Sequence, residues 1–452
     1  MIFCRYFQSK LAGLILFVAL MLILPGCDGG GTGEPGTGEE GLIKISGANP
    51  QQVSPVAYGQ NYWDWVPSWT NSTPGTETLM ADLHLNVYRG GGITPDIQNA
   101  PEKWDLSQVD KYIAYCRAIN VEPMLQIPVA TGNAAQAAYW VEYCNKTKGY
   151  QIKYWIIGNE PDLYDSSNYK PGYTVQDYIN DFKAYAAAMK AVDDTIMVVG
   201  PELAFRYTPG DDWLTPFLEQ CKTEVDIVSF HFYPFGKPGE FTIANVLNSD
   251  SITRSKIKAV CDTVKRYCPD KPIAMTETHV SWSGVMGKLA SAESFYAGLW
   301  IAETMGISLQ KNLWTTAFWC TSGGYGTGFI DYSTKKPRAA YYGLQMFSKY
   351  FGNRLIHPAE TPKGISVYAS RNTTDDRTII IVVNKSNVHR PEIIQFVDFG
   401  APLSERKYTF PAYSLTCLSI PDDGSAMECW SYTKAQHGRK EPPEYKVIQG
   451  LP

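Results

Sequence analysis

From residue 56 onward the chain alternates short apolar runs with longer amphipathic stretches. Runs at 56–60, 85–88, 122–128, 154–159, 196–200, 225–233, 272–277 and 313–319 have the length and apolar content of buried strands. Each is followed by a stretch with apolar residues at helical spacing: 76–84, 106–119, 134–145, 175–192, 213–221, 251–267, 291–305 and 337–350. In 106–119, Tyr112, Ile113 and Cys116 fall at core spacing, whereas Asp177, Asp181 and Lys183 of 175–192 fall outside. Eight strand-then-helix units in succession predict an α/β fold with a parallel sheet. Eight units in about 300 residues fit a closed (β/α)8 TIM barrel over 42–350 better than an open doubly wound sheet. No G-x-G-x-x-G follows the first strand, so a dinucleotide fold is not favoured.

After residue 351 the pattern changes to strand-like runs at 365–370, 377–384, 392–399 and 408–420, separated by turn residues with no helix between them. This predicts a small all-β sandwich over 351–420. Part of 42–46 is a candidate extra strand of it. The Pro- and charge-rich segment 421–452 reads as an irregular tail.

The N-terminus reads as a targeting segment. Arg5 and Lys10 flank an apolar run over 11–24 that suits a signal peptide better than a membrane span. The run closes on Leu24-Pro25-Gly26-Cys27, which resembles a bacterial lipobox, with Pro25 an unusual occupant. The expectation is a lipoprotein signal peptide over 1–27, lipidation at Cys27, and a flexible Gly-rich linker over 28–41. The protein is then exported and tethered to a bacterial membrane face, at the cell surface or the periplasmic side; it is secreted if the lipobox reading fails.

Composition narrows the function classes. Net charge is −5 with no basic block, so nucleic acid is not an expected partner. Aromatic residues are 13% of the chain, with 12 Trp and 29 Tyr, which suits either sugar stacking or a large core. Besides Cys4 and Cys27 there are Cys116, Cys144, Cys221, Cys261, Cys268, Cys320, Cys417 and Cys429, at spacings that match no zinc or redox motif. Buried free thiols, with one or two bridges at most, are expected.

The chemistry gathers at the strand ends, where barrels of this kind carry their sites. The run K-Y-W-I-I-G-N-E-P-D over 153–162 is an apolar strand closing on Asn159 and Glu160, and Pro161 ends its ladder. The run P-I-A-M-T-E over 272–277 has the same design and closes on Glu277. The other strand ends offer Asn61, Trp63 and Trp65; Arg89; Gln126; Glu202; His231 and Tyr233; His279 and Trp282; and Trp319. A metal-ligand spacing such as H-E-x-x-H and a G-x-S-x-G elbow are both lacking, and no metal or organic cofactor is expected. Two carboxylates in different environments suit glycosidic bond cleavage, one protonated and one ionised. Arg89 beside Glu277 favours its ionised form, and Tyr233 is placed to donate to it.

At these residues the chain resembles clan A of the retaining glycoside hydrolases. The matching pieces are G-N-E-P at 158–161, T-E-T at 276–278, H-F-Y at 231–233 and Arg89 on the second strand. The look is nearest to families 51, 39, 44 and 30, with a clean match to none. The resemblance implies a TIM barrel with a C-terminal β-sandwich, Glu160 as acid/base and Glu277 as nucleophile. It implies that Asn159 binds a sugar 2-hydroxyl, and, less specifically, that His231 and Trp319 line subsites.

Arg89, Tyr233, Trp63, Trp65 and Trp282 complete the expected substrate-binding set. For Trp63, Trp65 and Trp69, which share one loop, core packing of one and sugar stacking by another are expected. Glu202 reads as a surface residue rather than a third carboxylate of the cleft. The glycines at 90–92 read as room for a polymer. The expected partner is a polysaccharide or oligosaccharide, acted on by a monomer. The reaction expected first is endo-acting retaining cleavage of a β-glucan or hemicellulose. An exo-acting arabinofuranosidase or xylosidase and a non-catalytic glycan-binding lipoprotein are the alternatives.

Overall fold

The computed structural model describes residues 35–63, 73–97, 105–208, 210–283, 289, 291–323, 326–399, 403 and 405–449. The signal peptide, Cys27, Trp65 and Trp69 lie outside these residues. Eight parallel strands close into one barrel: β1 (Tyr58–Tyr62), β2 (Val87–Gly90), β3 (Glu122–Ile127), β4 (Tyr154–Ile157), β5 (Met197–Leu203), β6 (Ile227–Phe232), β7 (Ile273–Thr278) and β8 (Thr315–Phe318). Strand order around the barrel follows chain order, and β8 pairs with β1 to close it. The predicted strands lie within a few residues of these positions, and a helix follows each. The longest described helices are Val175–Val192 and Asp250–Tyr267. Thr174 and Asp177 form a reciprocal cap at the start of Val175–Val192, which anchors its first turn.

The strands read as unbroken apolar runs because both their faces are covered. Outward side chains meet the helices. Inward ones, Val87, Met124, Tyr154, Ile156, Val199, Ile227 and Ala274, form a separate plug inside the barrel. On β2 the alternation that sends Val87 into this plug also sends Arg89 inward, one layer nearer the strand C-terminal ends.

The second domain is two stacked sheets. One has the order Pro358–Glu360, Gly41–Ser46, Arg390–Val397, Arg406–Phe410. The other runs Gln51–Gln52, Arg354–Ile356, Ile365–Asn372, Arg377–Asn384, Ser414–Pro421, Met427–Thr433, Glu444–Ile448. Strand Arg377–Asn384 is apolar on both faces for a reason. Ile380 and Val382 join the sandwich core, while Ile379, Ile381 and Val383 pack with the barrel helices. The helix Phe295–Gln310 is buried on nearly every side for the same reason.

Two boundaries differ from the sequence expectation. The segment 421–452 is not an irregular tail: Met427–Thr433 and Glu444–Ile448 extend the larger sheet, with Met427, Cys429 and Tyr432 buried. Glu444–Ile448 is an edge strand, almost wholly exposed, and edges carry charges that mask the strand signal. The barrel domain does not begin at residue 42 either. Gly41–Ser46 pairs in parallel with Arg390–Val397, burying Ile43 and Ile45 in the sandwich core, and Thr37 already bridges to His389. All eight described cysteines are free thiols, seven of them buried.

Candidate active site

The C-terminal ends of β1, β4, β5 and β7 converge on the guanidinium that β2 carries. Arg89 is completely buried. Its Nη1 donates to Glu277 Oε2 (2.9 Å) and to Asn61 Oδ1 (2.8 Å). Its Nη2 donates to Asn159 Oδ1 (2.7 Å), and its Nε to Glu202 Oε2 (3.1 Å). Asn61 is held in turn by carbonyl oxygens of Thr276, Ala317 and Phe318. Arg89 was expected to bind substrate; with its nitrogens engaged by the protein, it works on other side chains instead. A planar fork with five donors suits this place, where a lysine ammonium does not. Arg89→Met removes the guanidinium that pairs Glu277 and leaves the buried Glu202 with His231 alone. The expected cost is about 3–5 kcal/mol of stability, read by denaturant unfolding.

Glu277 ends β7 with Oε2 on Arg89 and Oε1 accepting from Tyr233 Oη (2.6 Å). Burial raises its carboxyl above the usual range, and Glu160 adds to this; His231, Arg89 and the Tyr233 hydroxyl pull the other way. Arg89 therefore acts in the expected direction without overcoming burial. Glu160 follows β4 across the cleft, its side chain 18% exposed, and Oε1 lies 3.0 Å from His231 Nδ1. One oxygen from each of these two glutamates and a ring nitrogen of His231 all lie within 4.8 Å of one another.

Glu202 is the residue that sequence reasoning misplaced. It is fully buried at the end of β5, not on the surface. Oε2 faces both Arg89 and His231 Nε2 (3.0 Å), and Oε1 accepts from Thr276 Oγ1 (2.5 Å). Burial opposes its charge, but Arg89, His231 and the hydrogen bonds prevail and hold it down to about 2. His231 is the counterpart. Burial disfavours its cation, yet Glu277, Glu202 and the hydrogen bonds to Glu160 and Glu202 push it up to about 10. Glu160 and Glu202 both have left-handed backbones, φ +48° and +58°, an uncommon state for long side chains. The two turns are joined, since Glu160 N–H donates to the Glu202 carbonyl (3.1 Å).

Residues 105–315 match the model of glycosyl hydrolases family 39. The match covers just under half of the chain and includes Glu160, Glu202, His231 and Glu277. An intracellular exo-alpha-(1->5)-L-arabinofuranosidase of Acetivibrio thermocellus is 25% identical over 207 residues, 40% of each chain. Alpha-L-arabinofuranosidase C of Emericella nidulans is 27% identical over 27% of this chain and 29% of its own. The chain thus spans two fifths or less of these curated relatives. Among solved structures, CelM2, a bifunctional glucanase-xylanase from a metagenome library, superposes with TM-score 0.66 at 18% identity, covering 85% of this chain and 100% of that one. The GH51 alpha-L-arabinofuranosidase of Thermotoga petrophila RKU-1 gives 0.67 at 16% identity, over 84% and 99%. At these identities the structural likeness is one of fold, and the fold is that of glycoside hydrolases with a barrel and a β domain.

The remaining expected residues divide by exposure. Trp63 is buried and packs on Trp319, ring centroids 4.7 Å apart, so Trp63 serves the wall rather than the surface. Trp319 is half-buried and faces Gly92. Trp282 is 62% exposed and lies over Gly236, where a Cβ would come within 2.0 Å of its indole nitrogen. His279 is buried beside Phe329, and burial drives its imidazole down to about 3. The glycines after β2 do not leave room for a polymer. A Cβ on Gly91 would meet Gln126 Oε1 at 2.2 Å, and that same oxygen accepts from Gly92 N–H (2.6 Å). Behind Asn159 lies a buried Asp96, raised to about 7 by burial, which accepts from Tyr164 Oη and from Val129 N–H (2.8 Å). Tyr164 Oη also accepts from Asn159 N–H (3.4 Å), so this pair braces the Asn159–Glu160 turn. A single Asp in the stretch after three glycines carried no signal of this role.

Proposed function

We propose that the protein is a retaining glycoside hydrolase in which Glu277 is the nucleophile and Glu160 the acid/base. The observation that carries this reading is the approach of the two strand-end carboxylates to within 4.8 Å. Retaining enzymes hold the pair about 5–5.5 Å apart, whereas inverting ones open it to about 6.5–9.5 Å for a water. Glu277, held on both oxygens, attacks the anomeric carbon as Glu160 protonates the departing oxygen. Glu160 then removes a proton from the water that releases the sugar. Asn159 gives its Oδ1 to Arg89, which leaves its amide NH2 to donate to a sugar hydroxyl.

For the substrate, the arabinofuranosidase relatives favour an exo-acting glycosidase that removes terminal arabinofuranosyl units from a polysaccharide or oligosaccharide. Endo cleavage of a β-linked polymer is the second reading. The exposed face of Trp282 favours it, as a stacking platform beyond the cleavage point. Sizing the products from arabinan, arabinoxylan, xylan and β-glucan decides between them. Monosaccharide alone from the start supports the first reading, and mixed oligosaccharides support the second. Trp282→Ala is expected to raise KM on polymers by about 2–10-fold and to leave small aryl glycosides unaffected. An equal loss on both would remove Trp282 from the binding set.

The monomeric state and the lipid tether remain parts of the same reading. The apolar run over 11–24 closing on Cys27 supports export and anchoring. Cys27→Ser is expected to move the protein from the detergent-extracted membrane fraction to the soluble one. A wild type found in the soluble fraction contradicts the tether.

A further inference from the structure

We propose that Glu202 is a positioning residue for acid catalysis: it keeps His231 doubly protonated, so that His231 Nδ1–H clamps Glu160 Oε1 and the transferable proton rides on Glu160 Oε2. This rests on the hydrolase reading above and gives a task to the third carboxylate, which that reading leaves without one.

The geometry is a line of three groups. His231 Nε2 lies 3.0 Å from Glu202 Oε2, and His231 Nδ1 lies 3.0 Å from Glu160 Oε1. A neutral imidazole has one N–H and one lone pair, so it satisfies only one carboxylate; the cation satisfies both. The surroundings favour the cation. The titratable and charged groups facing this pair are Arg89 from β2, Glu160 from β4, Glu277 from β7 and Tyr233 beyond β6; Tyr178 stands behind Glu202, and Tyr169 near Glu160. Thr276 supplies a neutral donor to Glu202 Oε1.

Charge balance points the same way. In the state that enters the reaction the proton is on Glu160; with Arg89 and His231 positive and Glu202 and Glu277 negative, the cluster sums to zero. When the glycosyl–enzyme bond forms, the C1–O bond breaks and its electron pair goes to the leaving oxygen. That oxygen takes the proton from Glu160, and Glu277 becomes a neutral ester. Glu160 is then the carboxylate, and the sum is again zero. His231 Nδ1–H donates to Glu160 Oε1 in both states, so the imidazolium does not change while Glu160 does. With a neutral imidazole, the Nδ1 lone pair would instead take the Glu160 proton as its own hydrogen bond and turn it away from the substrate.

The test uses the full-length protein labelled with 15N-histidine, wild type and Glu202→Gln, with His231→Gln to assign the signal. In wild type at pH 7 both ring nitrogens of His231 are expected in the protonated range. In Glu202→Gln the ring is expected to lose a proton by pH 7. The alkaline limb of kcat/KM is expected to move to lower pH. On alkyl glycosides, kcat is expected to fall about 10²-fold, and on dinitrophenyl glycosides, which leave without a proton, glycosylation is expected to change little. A neutral His231 in wild type overturns the proposal even if the variant does not fold. So does a Glu202→Gln loss equal on both leaving groups with an unmoved limb, the pattern of a purely structural residue. A wild type that cleaves no glycoside but shows the imidazolium overturns the hydrolase reading, and the catalytic task with it, while keeping the charge assignment.

Discussion

Glu277→Ala is expected to lower turnover by at least about 10⁴-fold, because it removes the atom that attacks the anomeric carbon. The cavity left sits beside the Arg89 guanidinium and the Tyr233 hydroxyl, which held the missing carboxylate. A small anion fits such a place. Azide is expected to restore reaction on dinitrophenyl glycosides and to yield a glycosyl azide of inverted configuration, since it enters from the side that Glu277 occupied. In wild type the same carboxyl sets the acid limb of activity. It attacks only when ionised, and burial raises it above an ordinary glutamate. The rate should therefore rise with pH through a value higher than that of a free glutamate. Loss of Arg89 removes a pull toward ionisation and should move this limb higher still.

Glu160→Ala is expected to separate substrates by leaving group. Where the departing oxygen is a poor leaving group, loss of the general acid should cost about 10²–10⁴-fold. Where it is a dinitrophenolate, the first step should proceed almost unaided. The second step still suffers, because Glu160 is also the base that activates water. The glycosyl–enzyme should then accumulate, and KM should fall along with kcat. Azide here attacks from the acid/base side of an intact glycosyl–enzyme, so the product should keep the configuration of the substrate. The two alanine variants therefore give opposite anomers from one reagent. That contrast assigns the two roles without relying on the size of either effect.

Much of this site was legible because the sequence places each group at the end of an apolar run. Tyr154–Ile157 is short and apolar, Ile273–Thr278 opens on Ile-Ala-Met, and a glutamate follows at the end of each run, so barrel geometry brings Glu160 and Glu277 to one face. Arg89 could be placed in the site by the same rule, but not its burial, which depends on Asn61, Asn159 and Glu202 arriving from three other strands. Glu202 obeyed the rule too. Its run, M-V-V-G-P-E-L, contains a glycine and a proline, which weaken a strand signal, and a strand-end glutamate is ordinarily solvated. The clue available was its register: the third glutamate to close a barrel strand, between the other two in chain order. The strand at 41–46 was legible as a candidate for the sandwich, but its partner, hundreds of residues away, was not. The strands within 427–448 were missed, because they lie at a charged sheet edge whose local pattern masks them. Nothing in the sequence distinguished the exposed Trp282 from the buried Trp63, since an aromatic loop residue reads the same whether it faces a core or a sugar.

The central claim is that two glutamates at the ends of β4 and β7 cleave a glycosidic bond through a glycosyl–enzyme. The most direct measurement is the anomeric form of the first-formed product, followed by proton NMR in the first minutes of hydrolysis of whichever panel glycan or aryl glycoside the wild type cleaves. Retention of the substrate's configuration, followed by slow mutarotation, is the predicted result, matching carboxylates that approach within 4.8 Å. An inverted first product would contradict the account, because a single displacement by water requires a wider pair and gives Glu277 no covalent role.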